Sequence, residues 1–153
     1  MTRRILFLDN DTAYLKPYKE VLEDDGYEVE VAESVTRAKE LLNTSKFDLL
    51  ILDVMIPPVS EQELLHYKPQ ETHLGLTTGL LFYKFNQAEL QRIGVNVLVM
   101  TIRLDKNIMD DFIKAGLSPT AYVTKYAMSD PIEFLGKIHQ ILGDSGRNKS
   151  TQQ

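Results

Sequence analysis

Three short runs, residues 5–8, 49–52 and 95–100, are almost wholly apolar, which is the pattern of strands buried on both faces. Two weaker runs, 27–32 and 121–124, bring the set to five. Helical periodicity fills the gaps between them. Tyr14, Leu15, Tyr18, Val21 and Leu22 share one face and stop at Gly26, with Pro17 inside the pattern predicting a late start or a bend. Val35, Ala38, Leu41 and Leu42 follow a Ser34 N-cap. Leu81, Phe85 and Ala88 mark a third helix, and Ile108, Phe112 and Ile113 a fourth that ends at Gly116. The fifth is signed at both ends: Asp130 as N-cap, Pro131 at the first helical position, Glu133 completing a capping box and Gly143 as stop.

Strict alternation of strand and helix predicts an α/β fold, a doubly wound five-stranded parallel sheet in a three-layer sandwich. Ligand sites in such sheets lie beyond the carboxyl ends of the strands. That rule gathers Asp9, Asp53 and Thr101 at three strand ends, with Lys125 at the end of the fifth. One domain over residues 1–143 is expected, followed by a disordered polar tail or linker over 144–153, GDSGRNKSTQQ from Gly143 onward being poor in apolar residues.

Composition narrows the chemistry. The chain has 153 residues, 43% hydrophobic and 25% charged, enough for one core. A net charge of −5 argues against direct attraction to nucleic acid or an anionic membrane surface. With no cysteine, disulfides, thiolate catalysis and cysteine-bound zinc are excluded. The start, MTRRILFLDNDT, is too short in apolar residues for a signal segment, and no window approaches a membrane span. A cytoplasmic location is expected.

Two acid-bearing strand ends, a hydroxyl and a lysine suit phosphoryl chemistry on a carboxylate. An aspartate can attack a phosphoryl group; a hard cation with oxygen ligands and a lysine point charge can neutralise the transferring group; a hydroxyl can donate to it once attached. In the motifs ILFLDND, FDLLILDVMIPP, NVLVMT and AYVTK, in that order, the chain resembles the receiver domain of two-component response regulators (CheY-like). The resemblance spans about residues 3–143. It implies the CheY-like (βα)5, flavodoxin-like fold and assigns Asp53 as phosphoacceptor, with Thr101 and Lys125 beside it in the catalytic set. It places Thr101 and Tyr122 as switch residues, and Asp9, Asn10, Asp53 and the Met55 backbone carbonyl around Mg²⁺. The implied partners are a histidine kinase or phosphotransfer protein and a downstream protein, with a homodimer through the fourth helix, fifth strand and fifth helix. Catalysis would be self-directed, so a signalling switch is expected rather than a turnover enzyme.

Several positions depart from the family pattern. Asn10 stands where an acid usually ligates the metal, so affinity should fall, while Asp11 caps the first helix or adds a water-mediated contact. Ile102 stands where a small residue is usual and narrows the entrance, and Tyr126 replaces the proline that normally follows the lysine. An insertion at about 58–77 leaves the strand of Asp53 and is expected to form a lid or a partner-docking element. Within it Ser60-x-x-Glu63 is a capping box, and Leu64, Leu65 and Tyr67 are expected to form one face of a short helix before Pro69. His66 and His73, near Glu61, Glu63 and Glu71, lack the helix that would join them as metal ligands, and His139 is expected on a helix surface.

Two other readings stay open beside the phosphoacceptor. A pseudo-receiver would keep the fold as a phosphorylation-independent interaction or dimerisation module. Alternatively, Asp9-x-Asp11 resembles the first motif of haloacid-dehalogenase-type phosphatases, with Asp9 as nucleophile and LVMT and Lys125 as later motifs; Ala13 then replaces the usual threonine and Asp53 has no role.

Overall fold

A computed structural model describes residues 2–103 and 105–144. In chain order these form β1 (Arg4–Leu8), α1 (Thr12–Asp24), β2 (Glu28–Ala32), α2 (Val35–Thr44), β3 (Leu49–Leu52), α3 (Glu61–His66), α4 (Pro69–Thr72), α5 (Thr78–Arg92), β4 (Asn96–Thr101), α6 (Lys106–Lys114), a 3₁₀ turn, β5 (Tyr122–Thr124) and α7 (Pro131–Leu142). The five strands are all parallel in the order β2-β1-β3-β4-β5. The predicted α/β class and doubly wound sheet are therefore the observed ones. With α3 and α4 belonging to the insertion, the expected third, fourth and fifth helices are α5, α6 and α7.

Successive residues of a strand point to opposite faces, so each continuous apolar run feeds two cores. Leu6, Leu8, Leu50 and Leu52 pack beneath α2, α5 and α6, through Ala38, Phe82 and Phe112 among others. Ile5, Phe7, Leu49 and Ile51 pack on the other face beneath α1 and α7, through Leu15, Leu22, Phe134 and Ile138. Every strand residue in those two sets is at most 2% exposed. At about 25 cal/mol per Å² of apolar surface, this burial is the main force holding the layers together.

The differences from expectation have local causes. Helix α1 starts at Thr12, not late, because Asp11 accepts from Tyr14 N and caps it. Pro17 is tolerated because it and Ala13, whose carbonyl it leaves without a partner, both face solvent. Helix α5 buries Phe82, Tyr83, Asn86 and Leu90, whereas Phe85 and Ala88 are exposed. Its rotation is set by Gly79, whose N–H donates to Val54 O at 2.8 Å and where an added Cβ would lie 2.1 Å from Asp53 O. Residues three, four, seven and eleven positions beyond Gly79 share its face, and these are the buried ones.

In α7, Asp130 bonds Ile132 N rather than the amide of Glu133. His139 is not a free surface residue: its Nε2 lies 2.7 Å from Asp25 Oδ2, tying the end of α7 to the end of α1. Asp144, placed in the tail from sequence, accepts from Arg3 and from the Tyr27 hydroxyl; the rest of the expected tail, 145–153, lies outside the described residues. Among the described residues no helix is long and apolar enough to cross a membrane.

The insertion forms two short helices and a turn. Ser60 caps α3 by accepting from Glu63 N at 3.2 Å. The Glu63 carboxylate does not return to Ser60 as a capping box would. One oxygen accepts from Val59 N at 3.1 Å, and the other takes the N–H and hydroxyl of Thr36 in the first turn of α2. A carboxylate at a helix N-terminus bonded to three donors favours this placement, which faces Glu63 and Tyr67 inward. Leu64 and Leu65, expected on the packed face, are consequently 38% and 77% exposed. Tyr67 and His66 meet Phe85 of α5 at ring-centroid distances of 5.5 and 5.2 Å. The insertion then returns through left-handed backbone at His73, Leu74 and Gly75.

Candidate functional site

Leu8 and Leu52 are paired in the sheet, so the next residue on each strand, Asp9 and Asp53, emerges at the same edge. Their backbones stay tied to it: Asp53 N donates to Leu8 O at 2.9 Å and Asp9 N to Ala32 O at 3.0 Å. Thr101 closes β4, and Lys125 N donates to its carbonyl at 2.8 Å. Asp9, Asp53, Thr101 and Lys125 are all buried, and together they form the floor of the crevice.

Lys125 joins the two acids, its Nζ lying 2.8 Å from Asp9 Oδ2 and 3.4 Å from Asp53 Oδ2. The other oxygen of Asp53 accepts from Val54 N at 2.7 Å and, weakly, from Met55 N at 3.5 Å. Burial and the neighbouring Asp9 charge push the Asp53 carboxyl above its ordinary range, against Lys125 and the Thr101 hydroxyl, which pull it down. Burial works against the Lys125 charge, yet the bond to Asp9 and the charge of Asp53 prevail and raise its pKa. Two buried carboxylates facing one ammonium leave the crevice one negative charge in excess.

Above this floor opens a pocket of about 360 Å³ lined by Asn10, Asp53, Met55, Tyr14, Ile102 and Lys125, with Leu74, Gly75 and Leu76 of the insertion forming one wall. Asn10 and Met55 therefore stand beside Asp53, as the sequence placed them. Among the described residues there is no cluster of three or more His, Asp or Glu poised for a metal. The oxygen-bearing side chains here are instead mixed: the Asp11 and Asp53 carboxylates and the Asn10 amide line the pocket, with the Asp9 carboxylate in the floor. Such a set, with its excess negative charge, fits a hard divalent cation.

Tyr122, three residues before Lys125, is half-buried, its hydroxyl donating to Arg103 O at 3.1 Å. Burial and Asp105 push its pKa up to about 12. Ile102 is 48% exposed at the pocket mouth, and Tyr126 is exposed just beyond Lys125. No peptide bond among the described residues is cis. Asp11 caps α1 through Oδ1 and also lines the pocket. His66 packs on rings, and His73 sits in the turn after α4.

Two participants escaped the sequence reading. Tyr14 counted only as an apolar helix position, but Lys125 Nζ lies 4.5 Å from its ring centroid, a cation–π contact. Its hydroxyl continues to the Tyr18 hydroxyl, 3.1 Å away, and that hydroxyl donates to Met128 O. The available signal was its place in the first turn after β1, which must face the crevice. Arg103 gave no signal at all.

Residues 5–67 match the response regulator receiver domain family. The transcriptional regulatory protein CrdR of Helicobacter pylori is 34% identical over 82 residues, covering 54% of this chain and 38% of that protein. A CheY-like response regulator receiver domain from Methanospirillum hungatei superposes with a TM-score of 0.70 at 25% identity, covering 98% of this chain and 99% of its own. A response regulator from Burkholderia pseudomallei, solved with a phosphorylated aspartic acid, a calcium ion and citrate, superposes at 0.64 with 18% identity over 98% of this chain and 74% of its own. Matches to the first curated relatives cover between 12% and 38% of their length. The chain belongs to the CheY-like response regulator receiver domains of two-component systems. That assignment displaces the phosphatase reading, under which Asp53 has no role.

Proposed function

We propose that Asp53 accepts a phosphoryl group from a phosphohistidine of a histidine kinase or phosphotransfer protein. The observation that carries this reading is the shared Lys125 ammonium between Asp9 and Asp53 at the base of an open pocket. An Asp53 carboxylate oxygen forms the new O–P bond as the P–N bond to the donor imidazole breaks, and the imidazole keeps the electron pair and takes up a proton. Lys125 already bonds the attacking carboxylate, so it is placed to neutralise charge on the phosphoryl oxygens. The Thr101 hydroxyl then donates to the aspartyl-phosphate. Asp9, Asn10, Asp53 and the Met55 carbonyl would hold Mg²⁺, which supplies further charge neutralisation when bound. Asn10 brings an oxygen without a formal charge, so binding is weak for such a site.

The product is a switch rather than a turnover catalyst: the acyl phosphate forms on the protein itself and changes a surface that a downstream partner, or a second copy through α6, β5 and α7, recognises. A relative solved with a phosphorylated aspartic acid supports this reading. The test is Mg²⁺-dependent labelling by acetyl phosphate, or beryllofluoride binding, in wild type and Asp53→Ala. Labelling in wild type alone is expected; its absence in both leaves the phosphorylation-independent interaction module. Asn10→Asp should tighten Mg²⁺ binding about tenfold, and equal affinities would remove Asn10 from the ligand set.

A further inference from the structure

Arg103 touches four separate elements. Its N–H donates to Thr101 Oγ1 at 3.2 Å, and its carbonyl accepts from the Tyr122 hydroxyl at 3.1 Å. Its guanidinium grips Asp105, ahead of α6, through Nε at 3.1 Å and Nη2 at 2.9 Å. The remaining nitrogen, Nη1, donates to Leu76 O at 3.1 Å in the insertion. One residue thus joins the hydroxyl beside Asp53, the half-buried tyrosine, the start of α6 and the wall of the pocket.

The side chains of the wall are lightly packed. Leu74 and Leu76 are 83% and 46% exposed, so little apolar burial holds them. Their segment is anchored at its root by Ile56 N donating to Gly75 O at 3.2 Å, by Thr77 N donating to Thr72 O, and by the N–H groups of Leu74, Gly75 and Leu76, which donate to Pro69 O, Thr72 Oγ1 and His73 O. On its open side it is held by the Arg103 bond. Left-handed backbone at the non-glycine residues His73 and Leu74 adds strain that such contacts must hold in place.

We infer that Arg103 is a positioning residue that couples the Thr101 hydroxyl to the insertion, so that phosphorylation of Asp53 loosens the wall formed by Leu74–Leu76; this rests on the proposed phosphoacceptor role. Once Thr101 turns to a phosphoryl oxygen, the geometry in which it accepts from Arg103 N is lost. The Arg103 backbone shifts with the loop, and a guanidinium clamped on Asp105 at one end cannot keep its reach to Leu76 O. The insertion then becomes an output element: its exposed leucines change their presentation in step with the state of the site. It also widens access to Asp53 after transfer, which favours release of the donor.

Hydrogen exchange on the full chain with Mg²⁺, with and without beryllofluoride, reads both ends of the coupling. The amides of 101–103 should respond, and those of 72–79 should exchange roughly two- to tenfold faster, the scale of one lost hydrogen bond. Arg103→Ala should show the faster exchange at 72–79 without beryllofluoride and no further rise with it. Thr101→Ala, which removes the oxygen that Arg103 N donates to, should show the faster exchange at 72–79 even without beryllofluoride. A response at 101–103 with none at 72–79 in wild type, or Arg103→Ala behaving as wild type, overturns the coupling and leaves the phosphoacceptor reading standing. No response at either segment overturns both.

Discussion

The strand-end crevice and the insertion beside it are held by opposite means. Around the crevice, Leu8, Leu52 and Val99 are wholly buried, and on that packing Asp9, Asp53 and Lys125 sit with fixed partners. In the insertion the apolar side chains of Leu65 and Leu74 point to solvent, and a buried carboxylate, Glu63, shares the anchoring with the buried ring of Tyr67. Apolar burial is cumulative and rigid, and it suits groups that must hold position to a fraction of an ångström. A few polar contacts open one at a time, which suits a wall that must respond to the site it covers.

The sharpest way to break this contrast is at Gly79, where the two regions join. Gly79→Ala would press a Cβ against Asp53 O, Val54 Cα and the Asp53 carbonyl carbon, all backbone. A loss of about 3 kcal/mol in urea unfolding is expected, with phosphoacceptance impaired. Gly136→Ala, at an exposed position of α7 with nothing within 4 Å, should instead stabilise by about 0.8 kcal/mol. The same substitution would thus carry opposite signs.

Next in size is Glu63→Ala. It strands Thr36 and Val59 donors and should cost the docked insertion about 2 kcal/mol, seen as faster proteolytic cleavage within 58–77. Global unfolding should move less than the cleavage rate, because the sheet does not depend on this contact. A cleavage rate equal to wild type would mean that the packing of Tyr67 on Phe85, not Glu63, holds the insertion.

The smallest effect is one of sign, at Asp53. Its folded-state pKa lies above the ordinary 3.8, so the folded chain binds more protons than the unfolded one between those values. Stability from this group therefore falls as pH rises through that window. Asp53→Asn, which cannot ionise, should be more stable than wild type at neutral pH, and the difference should vanish as pH falls to about 3.8 and below. A constant difference across pH would show that the strain at Asp53 is not electrostatic.

Much of the crevice is legible in the order of residues along the chain. Strand periodicity locates the ends of β1, β3, β4 and β5, and the parallel-sheet rule then brings Asp9, Asp53, Thr101 and Lys125 to one edge, where they lie. Motif order supplies Asn10, Met55 and Tyr122 as neighbours. The helix faces are less legible. In α5, Leu81, Phe85 and Ala88 look as apolar as the face that is actually buried, and a backbone contact at Gly79 makes the choice. The Ser60-x-x-Glu63 pattern correctly opens a helix, but its glutamate finds better donors on α2 than on its own cap.

By itself, then, the sequence determined the layer order and the identity of the groups at the crevice, because burial periodicity and parallel pairing are local patterns repeated along the chain. The tertiary structure alone decided how those groups are wired. The Lys125 bridge, the Tyr14 ring beneath its ammonium, the His139–Asp25 pair and the Arg103 link to Leu76 each join residues from different elements. Hydrogen bonds and ion pairs are directional and short, so only the packed arrangement of those elements could select which partners meet.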